Sequence, residues 1–467
     1  MRSWGSANVL NESEVEMIEK NALRILSEIG LKLENSRMQE VLSGCGAKVD
    51  KKKERVHFSE KFVSDFLASS QRIELPNTPS ISCGAGSYNQ NYMPPGTTRV
   101  KPHTLDTMRD TLILGDYLDN VDRLGPGGVP SDVPALLQPL YMRIIAWKYS
   151  KKAQCSSVWN EKLRPYIVRM GEIMASNEGG NLSDYASAEV QLVSPLSMDR
   201  VGAETFVYFW ERKLRVSMMS MSSAGGTSPA TLAGSLALHL AENVILNILY
   251  RVFYGVNTLR FHSSVSVMDM KNGMYPFGRP EGGLIHLAMG QLARHYGASF
   301  WANTFSGDAK VPSSEAGMQK AISAIPAVIA GSDSLGTMGL LSVDEYSSPV
   351  QLVIDNEFAG ALKRFARGFE INEETLAFDL IAEVGPGGLF TGTMHTVKHY
   401  RTEHWQPTIF SREMYNTWTQ GDRKTDVERA KDICDYVFRN HKPICISEDT
   451  ERKLLEITKE AKEELYP

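Results

Sequence analysis

Gly226-Thr-Ser-Pro-Ala-Thr-Leu-Ala-Gly234, with Phe305-Ser-Gly-Asp-Ala-Lys310 further along the chain, decides how the fold is read. In each case a β-branched or apolar run stops at small residues, and a helical pattern then begins. Proline at Pro229 suits the first turn of a helix, where its missing N–H costs nothing. Outward from these two turns the same unit repeats. Strands are expected near residues 98–101, 121–125, 153–159, 186–194, 216–221, 258–264, 299–304 and 332–338. Helices are expected over 104–118, 134–149, 162–175, 200–213, 229–250, 280–296, 313–330 and 349–367. Strand–helix alternation of this kind implies parallel strands with right-handed crossovers, and eight units imply an α/β fold closed as a (β/α)8 TIM barrel.

The flanks read differently. Val15, Ile18, Ala22, Ile25, Leu26 and Ile29 follow a helical period after a capping box expected at Ser13–Glu16, and Gly30 ends the run. The expected division is an N-terminal helical cap over 1–95, the barrel over 96–370 and a C-terminal helical extension over 371–467. The extension holds one sharp turn, Val384-Gly-Pro-Gly-Gly388, and two last helices near 426–440 and 450–465.

Bulk composition excludes several classes. The 467 residues are 42% hydrophobic and 22% charged, with a formal net charge of −5. Mild acidity and no basic stripe argue against nucleic acid as a partner. No apolar run is expected to span a bilayer, and residues 1–6 lack a signal-peptide core, so a cytoplasmic chain is expected. The five cysteines include no CxxC pair, which disfavours a disulfide scaffold or thiolate–zinc site. A homo-oligomer is the expected assembly for an enzyme of this size.

Catalytic groups of a barrel lie in the loops after each strand. Those loops hold His103, Trp159, Asn160, His262, Trp301, Phe305, Ser306 and Tyr346: rings, amides and hydroxyls rather than clustered acids. No metal site is expected, since His103 lacks a His-x-His partner. His395 and His399 are four apart but lack the glutamate of a His-Glu-x-x-His zinc helix. Rings converging at one mouth would cage a quaternary ammonium, at about 0.5–2 kcal/mol per ring. Gly225, Gly226 and Thr227 could offer backbone N–H groups to an anion at a helix start, although a plain tight turn explains them as well. Asp308 and Lys310 are expected to pair and fix the loop after the seventh strand.

The segments Ala22–Gly30, the 225–234 turn, Met268–Gly273, Gly278–Glu281, Asp308–Lys310, Gly317–Lys320 and Val384–Gly388 occur in an order that resembles the trimethylamine methyltransferase family. The resemblance implies transfer of an N-methyl group to the corrinoid of a partner protein. Cobalamin would then be supplied by that partner and not bound by this chain, which lacks an Asp-x-His-x-x-Gly signature. Trimethylamine enzymes of the family carry pyrrolysine just before an Asp-Ser-Lys motif. The corresponding place here is near Ser306, and no pyrrolysine occurs. The chain therefore resembles members that demethylate quaternary amines, glycine betaine first, with proline betaine, carnitine and butyrobetaine as alternatives. A non-catalytic betaine-binding barrel and a zinc-activated transferase are the competing readings. The resemblance also implies that Trp159, Trp301, Phe305 and Tyr346 contact the ammonium. His395, within the similar glycine-x-x-histidine-threonine segment, would orient the carboxylate with Asn160 or His262.

Overall fold

The computed structural model describes residues 3–466. Arg260–Ser263, Ser299–Asn303, Ser334–Met338, Ser82–Ala85 and Arg123–Leu124 are neighbours in one five-stranded sheet, parallel at every pairing. Leu124 bridges in parallel to Ala153, and Glu189 N–H donates to Ser156 O at 3.0 Å. Ala188–Leu192 then pairs with Val216–Ser220, and Ser222–Ala224 with Val265–Val267, both parallel. Helices lie between successive strands, and the architecture is mixed α/β.

The expected helices form with small shifts. Pro280–Tyr296 and Pro349–Arg367 begin and end where the sequence places them, each with proline in its first turn. The glycine-turn helix starts at Leu232 and not Pro229. The first helix is capped by Asn11, whose side chain accepts from Glu14 N–H, two residues before the expected box.

One strand moves. The expected 98–101 strand is not part of the parallel sheet; Ser82–Ala85, within the expected N-terminal cap, takes the place between Ser334–Met338 and Arg123–Leu124. Lys101–Pro102 belongs instead to a small four-stranded sheet with Asn91–Tyr92, Tyr346–Ser347 and Leu340–Leu341. A strand of Ser-Cys-Gly-Ala lacks the β-branched signature, so burial decides its place rather than propensity.

Among the described residues one helix, Leu232–Tyr254, is long and apolar enough to cross a membrane, with mean hydropathy 1.5 over its most apolar stretch. That corrects the expectation that no apolar run reaches this length. However, 83% of that window is buried inside the fold, the position of a core helix. The three sheet-covering helices 232–254, 280–296 and 314–330 give the core many small and aliphatic side chains.

Candidate functional site

Parallel strands covered on both faces read as near-continuous apolar runs. These do not. Along Ala188–Leu192 burial alternates, with Glu189 half-buried and Gln191 exposed. Along Val216–Ser220 it is Ser217 and Met219 that are open, directly beside Glu189 and Gln191 in the register. Val190 points the other way, under helix Arg200–Glu211, where a methyl on Gly202 would meet it at 3.3 Å. Side chains alternate across a strand, so Glu189, Gln191, Ser217 and Met219 share the face away from the helices. Ser299, Trp301 and Asn303 are the more open positions of their strand. The face is polar and accessible to solvent, and it carries charge: Arg260, in register with Ser299, reaches Ser299 Oγ at 3.4 Å and pairs with Asp333 at 3.0 Å.

Glu189 is held in place. Ser156 Oγ donates to Glu189 Oε2 at 3.2 Å, and Tyr88 Oη lies 3.4 Å from Ser156 Oγ. Burial pushes the Tyr88 phenol up to about 12, with the nearby Cys155 and Glu189 charges adding to it. Tyr88 is therefore neutral at physiological pH. The Tyr88 ring meets the half-exposed Trp159 edge-on at 6.1 Å. Across the sheet Trp301 stacks on His262, 5.2 Å between centroids and 17° between planes. Burial lowers His262 to about 4, so its ring is neutral. Its Nε2 lies 2.8 Å from Ser220 O, and its backbone N–H donates to Asn243 Oδ1 at 2.7 Å. Ser222 Oγ and Thr304 Oγ1, just beyond two strand ends, are buried hydroxyls without a partner.

Several expected site residues do other work. His262 spends its Nε2 on the Ser220 backbone. Asn160 caps the short helix Glu161–Leu163, accepting from Lys162 N–H at 2.9 Å. Phe305 is fully buried with its ring against Phe358 of an outer helix, 5.8 Å away, so it does not face the mouth. Ser306 Oγ is 2.9 Å from Thr337 Oγ1. Tyr346 is buried beside Met93, Ala309 and Leu341, and donates to Lys310 O at 2.6 Å. His395 lies far along the chain on helix Met394–Glu403, its ring 4.4 Å from that of His399. It belongs to the C-terminal segment and not to the strand-end loops.

The glycine turn is closed on itself. The N–H groups of Gly226, Thr227 and Ser228 all point at Ser223 O at 2.9 Å, and Gly225 N–H donates to Ser228 O. Thr227 Oγ1 accepts from Ser223 N–H at 2.9 Å. No donor is left for an anion, which overturns that reading; the positive φ of +88° at Gly225 is what the turn requires. Asp308 does fix a loop, but by accepting from Phe277 and Gly278 N–H at 2.9 and 3.0 Å. Lys310 reaches the Asp308 carbonyl and not the carboxylate. His103, fully buried, lies 2.9 Å from both Thr107 Oγ1 and Ser347 Oγ.

The strongest polar feature was not anticipated. Lys320 Nζ, fully buried, donates to Phe305 O at 2.5 Å, Leu340 O at 2.9 Å and Asp355 Oδ2 at 2.9 Å. Asp355 in turn accepts from Gly339 N–H and Gln351. Burial lowers the lysine and raises the aspartate, while each charge opposes the other's shift. Phe305 sits at φ +62°, a conformation that costs a bulky residue roughly 1–3 kcal/mol. Lys320 holds that strained carbonyl between two strand-end loops and two helices. A signal exists in the sequence: Lys320 stands four residues from Ala316 and Ala324, on the buried stripe of its helix.

Among the described residues, no group of three His, Cys, Asp or Glu gathers in a way that could hold a metal. The scaffold is a parallel α/β one with an open polar face at its strands. The chain belongs to the trimethylamine methyltransferase (MTTB) family, whose model it matches over residues 1–465. It is 29% identical, over 96% of this chain and 95% of the relative, to a protein of Desulfitobacterium hafniense named glycine betaine methyltransferase. A trimethylamine methyltransferase of the same species is 26% identical over 97% of this chain and 94% of its own. Among solved structures, the Methanosarcina barkeri monomethylamine methyltransferase aligns at 11% identity and TM-score 0.47, covering 95% of this chain and 92% of its own. The chain is a methyltransferase of this family.

Proposed function

We propose that this methyltransferase takes a methyl group from a quaternary amine, glycine betaine first, and passes it to the corrinoid of a partner protein, releasing the dimethylated amine. The relative named for glycine betaine supports the substrate class, as does the ordinary serine at Ser306. The observation that carries the reading is the polar strand face: the half-buried Glu189 carboxylate, braced by Ser156 beside Tyr88 and Trp159, with Trp301 stacked on His262 on other strands of the same face. A permanent cation suits such a lining, and rings contribute about 0.5–2 kcal/mol each. We further read the strand pairings in ring order as a closed (β/α)8 barrel, with the polar face as its interior and 82–85 as its first strand.

A reduced corrinoid, when its carrier docks, supplies a cobalt nucleophile able to attack an N-methyl carbon. This chain's part is alignment and exclusion of water. A quaternary nitrogen leaves as a neutral amine and needs no proton, which fits a lining whose histidine is neutral and whose tyrosine is protonated. Positive charge leaves the nitrogen in the transition state, so a tight cage would oppose the reaction. A single carboxylate at one side positions the cation without enclosing it. The substrate's own carboxylate must lie away from Glu189, toward neutral donors such as Gln191 and Asn303. A panel of quaternary, tertiary and secondary amines, incubated with reduced cobalamin and followed by absorbance, tests the reading. Methyl transfer from quaternary amines alone supports it. Transfer from trimethylamine in preference to betaines, or from none, sinks it.

A further inference from the structure

An arginine on the polar strand face has only neutral partners. Arg123 is in register with Gly84 and open to solvent, while the next residue, Leu124, is buried. Side chains alternate along a strand, so Arg123 projects from the face that Ser82, Gly84 and Trp301 share. Its Nε donates to Ser82 Oγ at 2.9 Å and its Nη2 to Ser334 Oγ at 2.5 Å. Its Nη1 donates to no group among the described residues. The nearby acids are committed elsewhere. Asp122 accepts from Lys363 Nζ at 2.9 Å and from Cys83 N–H at 2.7 Å, and Asp333 pairs with Arg260 at 3.0 Å. Three cations therefore share two carboxylates. Desolvation lowers Arg123 from its ordinary value, and the Arg260 charge adds to that against Asp122 and Asp333. The guanidinium stays charged all the same, and an anion arriving beside it would offset both effects.

Room for that anion is built into the Asn303 side of the same face. Asn303 is in register with Gly336, and a methyl added to Gly336 would meet only Gly84 O, at 3.9 Å. A methyl added to Gly84 would stand 3.4 Å from Arg123 Nη2 and 3.7 Å from Leu335 O. These are ordinary contacts, and neither glycine has a positive φ, so packing does not demand glycine at either place. What the pair leaves is a gap without side chains between the Asn303 amide and the Arg123 guanidinium. Trp301 borders the gap. It is in register with Ser334, about 4.8 Å away across one strand spacing, and Ser334 is the residue that Arg123 Nη2 bonds. A ring suited to an ammonium and a guanidinium suited to a carboxylate thus stand side by side, as a zwitterion with one carbon between its charges requires.

We propose that Arg123 binds the substrate's carboxylate in the gap that Gly84 and Gly336 leave beside Trp301, and so selects N-methylated α-amino acids over amines without an acid group. The inference rests on the quaternary-amine reading for its ligand, but its test reads binding alone, with no corrinoid present. Calorimetry compares glycine betaine with choline, which shares the trimethylammonium head and has a hydroxyl in place of the carboxylate. The wild-type chain is expected to hold glycine betaine at least ten-fold more tightly than choline. Arg123→Gln is expected to weaken glycine betaine by about 10- to 100-fold and to leave choline unchanged. Arg123→Lys keeps a point charge and is expected to recover part of that loss. Should Arg123→Gln fail to fold by circular dichroism, Gly84→Ala, whose methyl fits against Arg123 Nη2, is expected to lower the betaine-to-choline ratio in the same direction. Equal weakening of both ligands overturns the proposal, because a brace between strands would give that result. An unchanged ratio in these variants overturns it too, as does wild-type chain that holds choline as tightly as glycine betaine. Methyl transfer from no quaternary amine, alongside a ratio that depends on Arg123, would sink the transfer reading and leave this one standing.

Discussion

At the strand-end loops this chain buries charge; in the 369–401 excursion it exposes apolar surface. Lys320 and Asp355 are fully buried, whereas Phe378 is 74% exposed. Globular chains avoid both arrangements, because an unpaired buried charge costs several kcal/mol and bare hydrocarbon forfeits about 25 cal/mol per Å². The two departures are resolved differently. Lys320 is satisfied within the chain by two carbonyls and a carboxylate, so it serves as a brace for loops that must not move. Phe378, Leu389 and Met394 of the excursion stay mostly exposed, so the energy of burying them is recovered only on contact with something else. A polar group inside marks preorganisation, and an apolar group outside marks association.

The largest effect expected on this contrast comes from the brace. Lys320→Met leaves Asp355 buried without a counter-charge and is expected to destabilise the fold by about 3–5 kcal/mol, read by urea unfolding. Lys320→Met/Asp355→Leu is expected to regain most of that stability yet not methyl transfer, because the Phe305 and Leu340 carbonyls lose their shared donor. Full activity in the folded double variant would show that the brace is structural only. Acid comes next. His262 and His286 are held near 4 by burial, below the ordinary value of 6.5. Between those values the unfolded chain binds more protons than the folded one, so stability must fall as pH drops from about 6.5 to about 4. The expected loss is on the order of 2–3 kcal/mol per histidine. Unfolding free energy that is flat across that window would contradict the neutral, buried rings.

Smaller effects sharpen the site. Trp301→Leu removes one ring and is expected to weaken binding of a quaternary amine by about 0.5–2 kcal/mol in calorimetry. Glu189→Gln should raise KM for quaternary amines more than it lowers kcat, since its attraction is lost equally from ground state and transition state at best. An unchanged KM would remove Glu189 from the site. His395→Ala is expected to leave betaine affinity unchanged, because its ring packs against His399 in the excursion. Weakened binding would bring the excursion into the site and erase the separation drawn above.

Much of this was legible in residues 98–367. Eight helices and six of the eight expected strands appear in place, because amphipathic period and proline or glycine punctuation are local properties; the expected 153–159 strand is reduced to a single bridge at Ala153. Ser82–Ala85 escaped notice because four small residues carry no period, and only neighbours on both sides make them a strand. The site was less legible. Trp159 and Trp301 stand on or beside the open face, but Phe305 and Tyr346 turn inward to Phe358 and Met93. A side chain at a strand end can point either way, and its direction depends on backbone angles such as the positive φ of Phe305. Glu189 looked like any acid in a strand; what distinguishes it is that its face of a parallel sheet is wet.

The sequence by itself determined the order of strands and helices, the absence of pyrrolysine and the family, since each is written in local pattern or residue identity. Only the tertiary structure decided which side chains share the polar face, that the 225–228 amides are spent on Ser223, and that the 369–401 helices find no core. Those outcomes depend on which donor reaches which acceptor, and that distance does not exist until distant segments have packed.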